Sequence, residues 1–352
     1  MKKIIKFTLV LLGLVLLVLC GMLIFLSVTD YQPDAMETLV VKGTAEDQAT
    51  TGNLYSLYTW NIGYAGLGDE EDFFLDGGQK VMAKDVETVE GYLKEVLNTI
   101  EGFDSDFLML QEVDIDSKRS FNINQLDQIN SILDGHDYVF AKNYDVKFVP
   151  IPWPPMGKVK AGLATYSQSH IESAERVAFK SNYSWPQNTI MLDRCFLVTR
   201  IPLNDKDKDL VLINAHFSAY DDGSQKEEQL QTIKDYVLDL YDQGHYVVLG
   251  GDWNQTFDVV DHDQYMLYEE GDIFKPSIIS SDWLEEGWTF GVNDNAPTYR
   301  LLHEAYDPSS SQVGVIDGFL LSPNVKMESV EVMDLGFKSS DHNPVKIIFS
   351  LQ

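Results

Sequence analysis

Eight polar residues of this chain each stand in or beside a short apolar run: Asn61, Glu112, His216, Asp252 with Asn254, Asp317, and Asp341 with His342. Together they supply two imidazoles, four carboxylates and two amides. A protein core does not collect such a mixture, because buried charge must be paired or bound to metal. Gathered around one point by a fold, the set suits metal-dependent hydrolysis of a phosphoric ester. Carboxylate oxygens match a hard divalent cation, Mg²⁺ or Mn²⁺.

Each residue has a setting that suggests a share of that chemistry. Glu112 leaves the buried run Phe107–Leu110 and is the expected principal ligand for the cation, with Asp341 as the second carboxylate. Asn61 is placed to orient Glu112 or to touch a phosphate. Gly250-Gly251 permits an abrupt turn, after which Asp252 and Asn254, alternating as strand residues do, would face one side. Asp252 is expected to orient or deprotonate a water, and Asn254 to donate to a phosphoryl oxygen. His342 is the expected general base, with Asp317 fixing its tautomer. His216 closes the run Leu210–Ala215 and, as imidazolium, would stabilise the phosphate or protonate the leaving oxygen. Arg194 suits either a bidentate contact to a phosphate oxygen or an ordinary salt bridge. The remaining histidines, 136, 170, 245, 262 and 303, read as surface residues. Cys/His spacing for structural zinc, a Gly-x-Ser-x-Gly elbow and a Gly-x₄-Gly-Lys-Ser/Thr loop are all absent from the sequence.

The elements that must position these residues can be read from periodicity. Aromatic and β-branched runs predict strands at 54–60, 107–110, 138–141, 162–166, 194–200, 210–215 and 246–249, with last elements at 315–321, 325–333 and 345–349. Val86, Val89, Leu93, Val96 and Ile100 recur at helical spacing, as do Leu230, Ile233, Val237 and Leu240; a further helix is expected at 123–134. Four prolines between 150 and 155 predict a loop over 147–158. Strands outnumber helices, and helices return after single strands or hairpins. This favours an α/β fold of two packed sheets with helices outside over an alternating parallel sheet.

Before the domain, an uncharged stretch from Phe7 to Ser27 follows Lys2, Lys3 and Lys6. Its length matches the hydrocarbon thickness, and the lysines orient the N-terminus inward and the rest outside the cell. The competing reading is a cleaved signal peptide, whose apolar core is normally shorter and ends at an Ala-x-Ala site. A lipid-modified Cys20 is disfavoured by the bulky Leu17-Val18-Leu19 before it. The expected organisation is therefore a cytoplasmic tail (1–6), a transmembrane anchor (7–27), a linker (28–52) and a catalytic domain (53–352).

The formal charge is −29, from 26 basic and 55 acidic residues. Setting aside Lys2, Lys3, Lys6 and Asp30 leaves 23 against 54, so the external part carries −31. Such a surface repels polyanions at long range, which makes nucleic acid the less favoured partner. Outside the anchor Cys195 stands alone, so no disulfide can form within that portion and a large apolar core must hold it.

In order along the chain, Thr59-Trp60-Asn61-Ile62-Gly63, Gln111-Glu112, Asn214-Ala215-His216, Gly251-Asp252-Trp253-Asn254, Ile316-Asp317 and Ser340-Asp341-His342-Asn343-Pro344-Val345 resemble the endonuclease/exonuclease/phosphatase (DNase I-like) superfamily. The motif set is most similar to its DNase I and neutral sphingomyelinase branches. The resemblance implies a four-layer α/β sandwich with two central mixed sheets flanked by helices. It also implies Glu112 as principal metal ligand with Asn61 its neighbour, Asp252 and Asn254 as the pair contacting water and phosphate, and in-line attack by water; the full expected metal set is Glu112, Asn61, Asp341 and Asp252. The Trp-Cys-Asp-Arg string of the 5-phosphatase branch is missing, and Met191-Leu192-Asp193-Arg194-Cys195 does not replace it. The expected substrate is a lipid head group or small phosphoester, the alternative an extracellular nuclease, and a non-catalytic binding protein the alternative of another class. The stiff apolar loop around Trp153 suits either a membrane interface or packing on the domain's rim.

Overall fold

A computed structural model describes residues 1–180, 183–220, 223–265 and 274–352. The chain opens with the 28-residue helix α1 (Lys2–Thr29), followed by a short strand, β1 (Met36–Leu39). It continues through β2 (Leu54–Asn61), α2 (Val86–Glu101), β3 (Phe107–Asp114), α3 (Gln125–Ile132), β4 (Asp137–Val149) and β5 (Gly157–Ser167). Next come β6 (Ser173–Ala178), β7 (Cys195–Pro202), β8 (Asp209–His216), α4 (Ser224–Asp242) and β9 (Tyr246–Asp252). Two-residue β10 (Thr256–Phe257) pairs with β11 (Ile278–Ile279). After β12 (Thr289–Gly291), the two-residue β13 (Tyr299–Arg300) pairs with β14 (Val313–Gly314). The chain closes with β15 (Asp317–Leu321), β16 (Val325–Val332) and β17 (Val345–Leu351).

Two mixed sheets form the centre, in the orders β1-β6-β7-β8-β9-β15-β12 and β16-β17-β2-β3-β5-β4. Leu57, Phe107, Met109, Leu163 and Ile347 of one sheet meet Leu197, Leu212, Val248 and Phe319 of the other in a shared core. The outer face of the second sheet is covered by α2 and α3 through Val89, Leu93, Val96, Ile100 and Ile129. The outer face of the first is covered by α4 through Ile233, Val237 and Leu240. The result is the four-layer sandwich, helix–sheet–sheet–helix.

Local chemistry explains the elements. Asp85 caps α2, its carboxylate accepting from the Thr88 amide at 3.0 Å. Gly91, the weak point of that helix by propensity, lies on its exposed face with open space around it. In the middle of each sheet one pair of strands is parallel, β2 with β3 and β8 with β9. Parallel neighbours deliver their C-terminal ends to the same edge, which is why residues far apart in sequence meet there.

The structure departs from the sequence reading at several places. The segment 28–52, expected as a linker, is laid along the domain. Met36–Leu39 pairs with β6, and further bridges join Lys42 to Tyr138, Asp47 to Ser169 and Ala49 to Leu203. Leu39, Val41 and Ala49 pack on the inter-sheet core, which supplies the reason. The loop expected over 147–158 is shorter, because Val149 still pairs with Gly157 and the prolines begin only at 150. The strand β6 was not foreseen.

Of the residues in α1 only Leu26 is buried, and the helix is long and apolar enough to cross a membrane. Its end touches the domain, where the Trp185 indole donates to Ser27 Oγ at 3.0 Å.

Candidate active site

The site lies at the edge where β2, β3, β8 and β9 end. Asn61 is the last residue of β2, His216 of β8 and Asp252 of β9, while Asp317 begins β15. The register places His216 opposite Asp252, and Asp252 opposite Asp317. Asn61, Glu112, Arg194, His216, Asp252, Asn254, Asp341 and His342 all line one cavity of about 280 Å³. Asp317 stands behind it, buried against His342. None of the other five histidines lines the cavity.

Asp317 Oδ2 lies 2.8 Å from His342 Nδ1. The Trp60 indole donates to the His342 carbonyl at 2.8 Å, and Ser340 Oγ accepts from the His342 amide at 3.2 Å. The ring is thus held at its nitrogen and through its backbone. Its Nε2 faces Asp252 Oδ2 at 3.7 Å and the Asn61 amide at 3.5 Å. The Asn61 amide also donates to Asp252 Oδ2 at 3.0 Å and to Glu112 Oε1 at 3.3 Å. Asn61 therefore sits between the two carboxylates, and its own Oδ1 accepts from the Gly63 amide.

Two backbone features aim these side chains. Glu112 has φ +56° and falls within a register shift between Leu110 and Val113, so a bulge turns it out of the ladder. Asn254 has φ +49°, and its amide donates to Asp252 Oδ1 at 2.9 Å. The strand-like alternation expected of Asp252 and Asn254 is replaced by an Asx turn, because the chain leaves the sheet at Trp253. Trp253 is buried, stacked on Phe217 and donating to the Gly318 carbonyl. Asn254 spends one amide proton on the Phe217 carbonyl at 2.9 Å and retains its second.

Electrostatics set the resting protonation. Burial, then Arg194 and His342, push His216 well below 6.5, so it is neutral here and not the expected imidazolium. Its Nε2 lies 3.4 Å from Asp252 Oδ2. Burial opposes charge on His342, but Asp317, Asp252 and Asp341 outweigh it and raise its pKa well above 6.5. Burial pushes Asp341 up to about 7, and the Glu112 carboxylate adds to the effect. Asp252 is raised by burial and by Asp317, against His342 and two hydrogen bonds. Arg194 donates to the His216 carbonyl at 3.1 Å, and burial lowers its pKa while Asp252 and Glu112 hold it up. The salt bridge considered for Arg194 has no carboxylate within range among the described residues.

The donor set can be tested against a metal. Burial raises both Asp252 and Asp341, and a neighbouring carboxylate adds to the effect at each. Carboxylates raised by burial and mutual repulsion are short of a cation. Asp252, Asp317 and His342 present ligand-type atoms within 4.8 Å of one another. In that trio Asp317 Oδ2 and His342 Nδ1 already bind each other, so oxygen donors for a hard ion are better supplied by Glu112, Asp341 and Asp252. The residues present fit such an ion.

Sequence reasoning missed the supports. Gln111 and Asn214, both fully buried, join the two sheets by a 2.8 Å hydrogen bond beneath the site. Thr298 Oγ1 accepts from the Asp317 amide at 3.1 Å, and Tyr299 bridges to His342. Both motif strings carrying Gln111 and Asn214 directly follow apolar runs, a signal that points to burial but not to the partner.

The family model of the endonuclease/exonuclease/phosphatase family matches residues 58–342. A search of curated proteins finds no match. Among solved structures, an endonuclease/exonuclease/phosphatase from Beutenbergia cavernae is 18% identical with a TM-score of 0.57, over 85% of this chain and 72% of that one. One from Bacteroides vulgatus is 16% identical with a TM-score of 0.55, over 85% and 100%. TDP2 of D. rerio, complexed with single-strand DNA product, is 13% identical with a TM-score of 0.53, over 85% and 99%. At these identities the neighbours speak to the fold. Family members are generally divalent-metal-dependent hydrolases acting on phosphoester bonds, and this chain belongs to the endonuclease/exonuclease/phosphatase family.

Proposed function

We propose that the chain is a membrane-anchored, extracellular phosphoric ester hydrolase, acting on a lipid head group or small phosphoester. The observation that carries the reading is the Asp317–His342 contact, with His342 on the wall of a cavity also lined by Glu112, Asp252 and Asp341. A non-catalytic binding protein would have no use for an imidazole held at Nδ1 with Nε2 turned to the cavity.

Glu112, Asp341, Asp252 and Asn61 would hold a divalent ion, Mg²⁺ or Mn²⁺. Bound there it supplies positive charge to the phosphoryl oxygens and the departing oxygen. The protein's residues do the rest. His342 must be neutral to accept a proton, and neutralising the carboxylates around it favours that form. Its Nε2 then takes a proton from water attacking in line, while Asp317 stabilises the imidazolium that results. Asp252, 3.7 Å from Nε2, orients that water. Arg194, the second amide proton of Asn254 and neutral His216, as a hydrogen-bond donor, receive the charge that develops on phosphorus oxygens.

A nuclease tracks a polyanion with a basic groove. The basic side chains lining this cavity are Arg119, Lys180, Arg194 and Arg300. Arg119 is paired with Asp114 at 3.0 Å, Lys180 with Glu228 at 2.8 Å, and Arg300 is buried against backbone carbonyls. Among the described residues that leaves Arg194 as the one lysine or arginine of the lining open to a phosphate, which supports a small or lipid ester over nucleic acid. Anchoring rests on α1, with Lys2, Lys3 and Lys6 inside. The reading is tested by assaying the full-length protein against sphingomyelin, other phospholipids, duplex DNA, single-stranded DNA and RNA. Head-group release is expected; DNA cleavage in its place overturns the substrate assignment.

A further inference from the structure

The cavity extends beyond the charged cluster. Away from the strand ends its wall is built from Phe73, Phe74, Val149, Ile151, Met156 and Leu192. Val149 and Met156 belong to a satellite apolar cluster against which the half-buried Phe73, Phe74 and Leu192 pack. The wall is tethered: the Phe73 amide donates to the Leu302 carbonyl at 2.7 Å, and Tyr144 Oη donates to the Ile190 carbonyl at 3.0 Å. Toward the mouth, Leu75 and Ile151 line the same cavity yet stay 41% and 60% exposed. Exposed apolar side chains continuous with an apolar wall mark a face made for a ligand. A cavity of about 280 Å³ also holds more than a phosphate and an ion fill.

Resting on the hydrolase reading above, we propose that this wall binds a hydrocarbon chain carried by the phosphoester, so that the substrate is an amphiphile. The phosphate would lie at the charged end and the chain along Phe74, Ile151 and Met156. The end of α1 supports such a ligand. Ser27 is bonded to Trp185, and Ile190 and Leu192 of the wall follow five and seven residues later, so the segment that carries part of the wall also holds the end of α1. Trp153, 89% exposed, adds an interfacial side chain to the same loop as Ile151.

The test is equilibrium binding of methyl phosphate and hexyl phosphate, both soluble, to the full-length protein in nanodiscs with Mg²⁺. Each fully buried methylene is worth about fourfold in affinity, so hexyl phosphate is expected to bind at least tenfold tighter. Ile151→Asn and Leu75→Gln make exposed positions outside the charged cluster polar without adding charge. They should cut that preference to below threefold and leave methyl phosphate binding unchanged. Equal affinity for both ligands, or a preference that survives both substitutions, overturns the proposal. Hydrolysis measured alongside separates the two readings. Chain preference without turnover of any ester would sink the hydrolase reading alone, and turnover without chain preference would sink the subsite alone. Turnover of phosphatidylcholine in vesicles against soluble dihexanoyl phosphatidylcholine then tells whether the chain is drawn from a bilayer.

Discussion

Asp317 Oδ2 lies 2.8 Å from His342 Nδ1, across 25 positions of the chain. The contact joins the first residue of β15 to the loop before β17, and the Trp60 indole fixes the His342 backbone from behind. It decides which imidazole nitrogen faces the cavity.

Replacing Asp317 by Asn keeps the shape but removes the charge that favours the working tautomer. Asp317→Asn is expected to lower kcat on a soluble phosphodiester by roughly 10²- to 10⁴-fold. Thermal stability should fall, since the buried His342 ring loses the carboxylate that does most to hold its charge. Less than a threefold loss in kcat would refute the pairing as a catalytic device.

Glu112→Gln removes one oxygen charge from the metal set. Wild-type protein should melt higher with Mg²⁺ than with EDTA, by about 2.7 kcal/mol at a hundredfold excess over Kd. The variant should need at least tenfold more Mg²⁺ for half-maximal stabilisation and activity. An unchanged Mg²⁺ requirement in both readouts would remove Glu112 from the set.

Asn214 donates to the Leu110 and Ala164 carbonyls at 3.1 and 3.0 Å and accepts from Gln111 at 2.8 Å. Asn214→Ala strands these buried groups between the sheets and should destabilise the domain by about 2–4 kcal/mol. Denaturant titration reads this directly. A change below 0.5 kcal/mol would mean water replaces the amide.

Gly251 has φ +142°, and a Cβ there would lie 1.9 Å from the Ala215 carbonyl oxygen. Gly251→Ala must push β8 and β9 apart next to His216 and Asp252. We expect loss of soluble protein, or, at low temperature, a folded protein with activity reduced at least tenfold. A fully active, equally stable variant would show that the two strand ends can shift.

Much of this site could be read from the sequence because it hangs on strand ends. A buried run such as Phe107–Leu110 followed by Glu112, or Tyr246–Leu249 followed by Asp252, is a signal along one dimension. The same holds for α2, whose apolar stripe Val89, Leu93, Val96 and Ile100 is buried as its spacing requires. What escaped notice lacks periodicity. The φ of Glu112 belongs to a bulge defined by β5, and bulges leave no mark in one strand's composition. Tyr299–Arg300 is a two-residue ladder, too short for alternation, yet Thr298 before it holds the Asp317 amide. Residues 36–39 gain their strand only from pairing with β6. Protonation was also illegible: a histidine at a strand end looks the same whether burial and Arg194 leave it neutral, as at His216, or carboxylates charge it, as at His342.

The most direct measurement compares phosphoester hydrolysis by full-length wild-type protein and His342→Ala, each with saturating Mg²⁺ and with EDTA. Hydrolysis by the wild type in Mg²⁺ alone, with turnover by the folded variant reduced by at least 10²-fold, is the expected result. Equal turnover by the two proteins, or wild-type hydrolysis undiminished by EDTA, would contradict a metal-dependent hydrolase with His342 as its base.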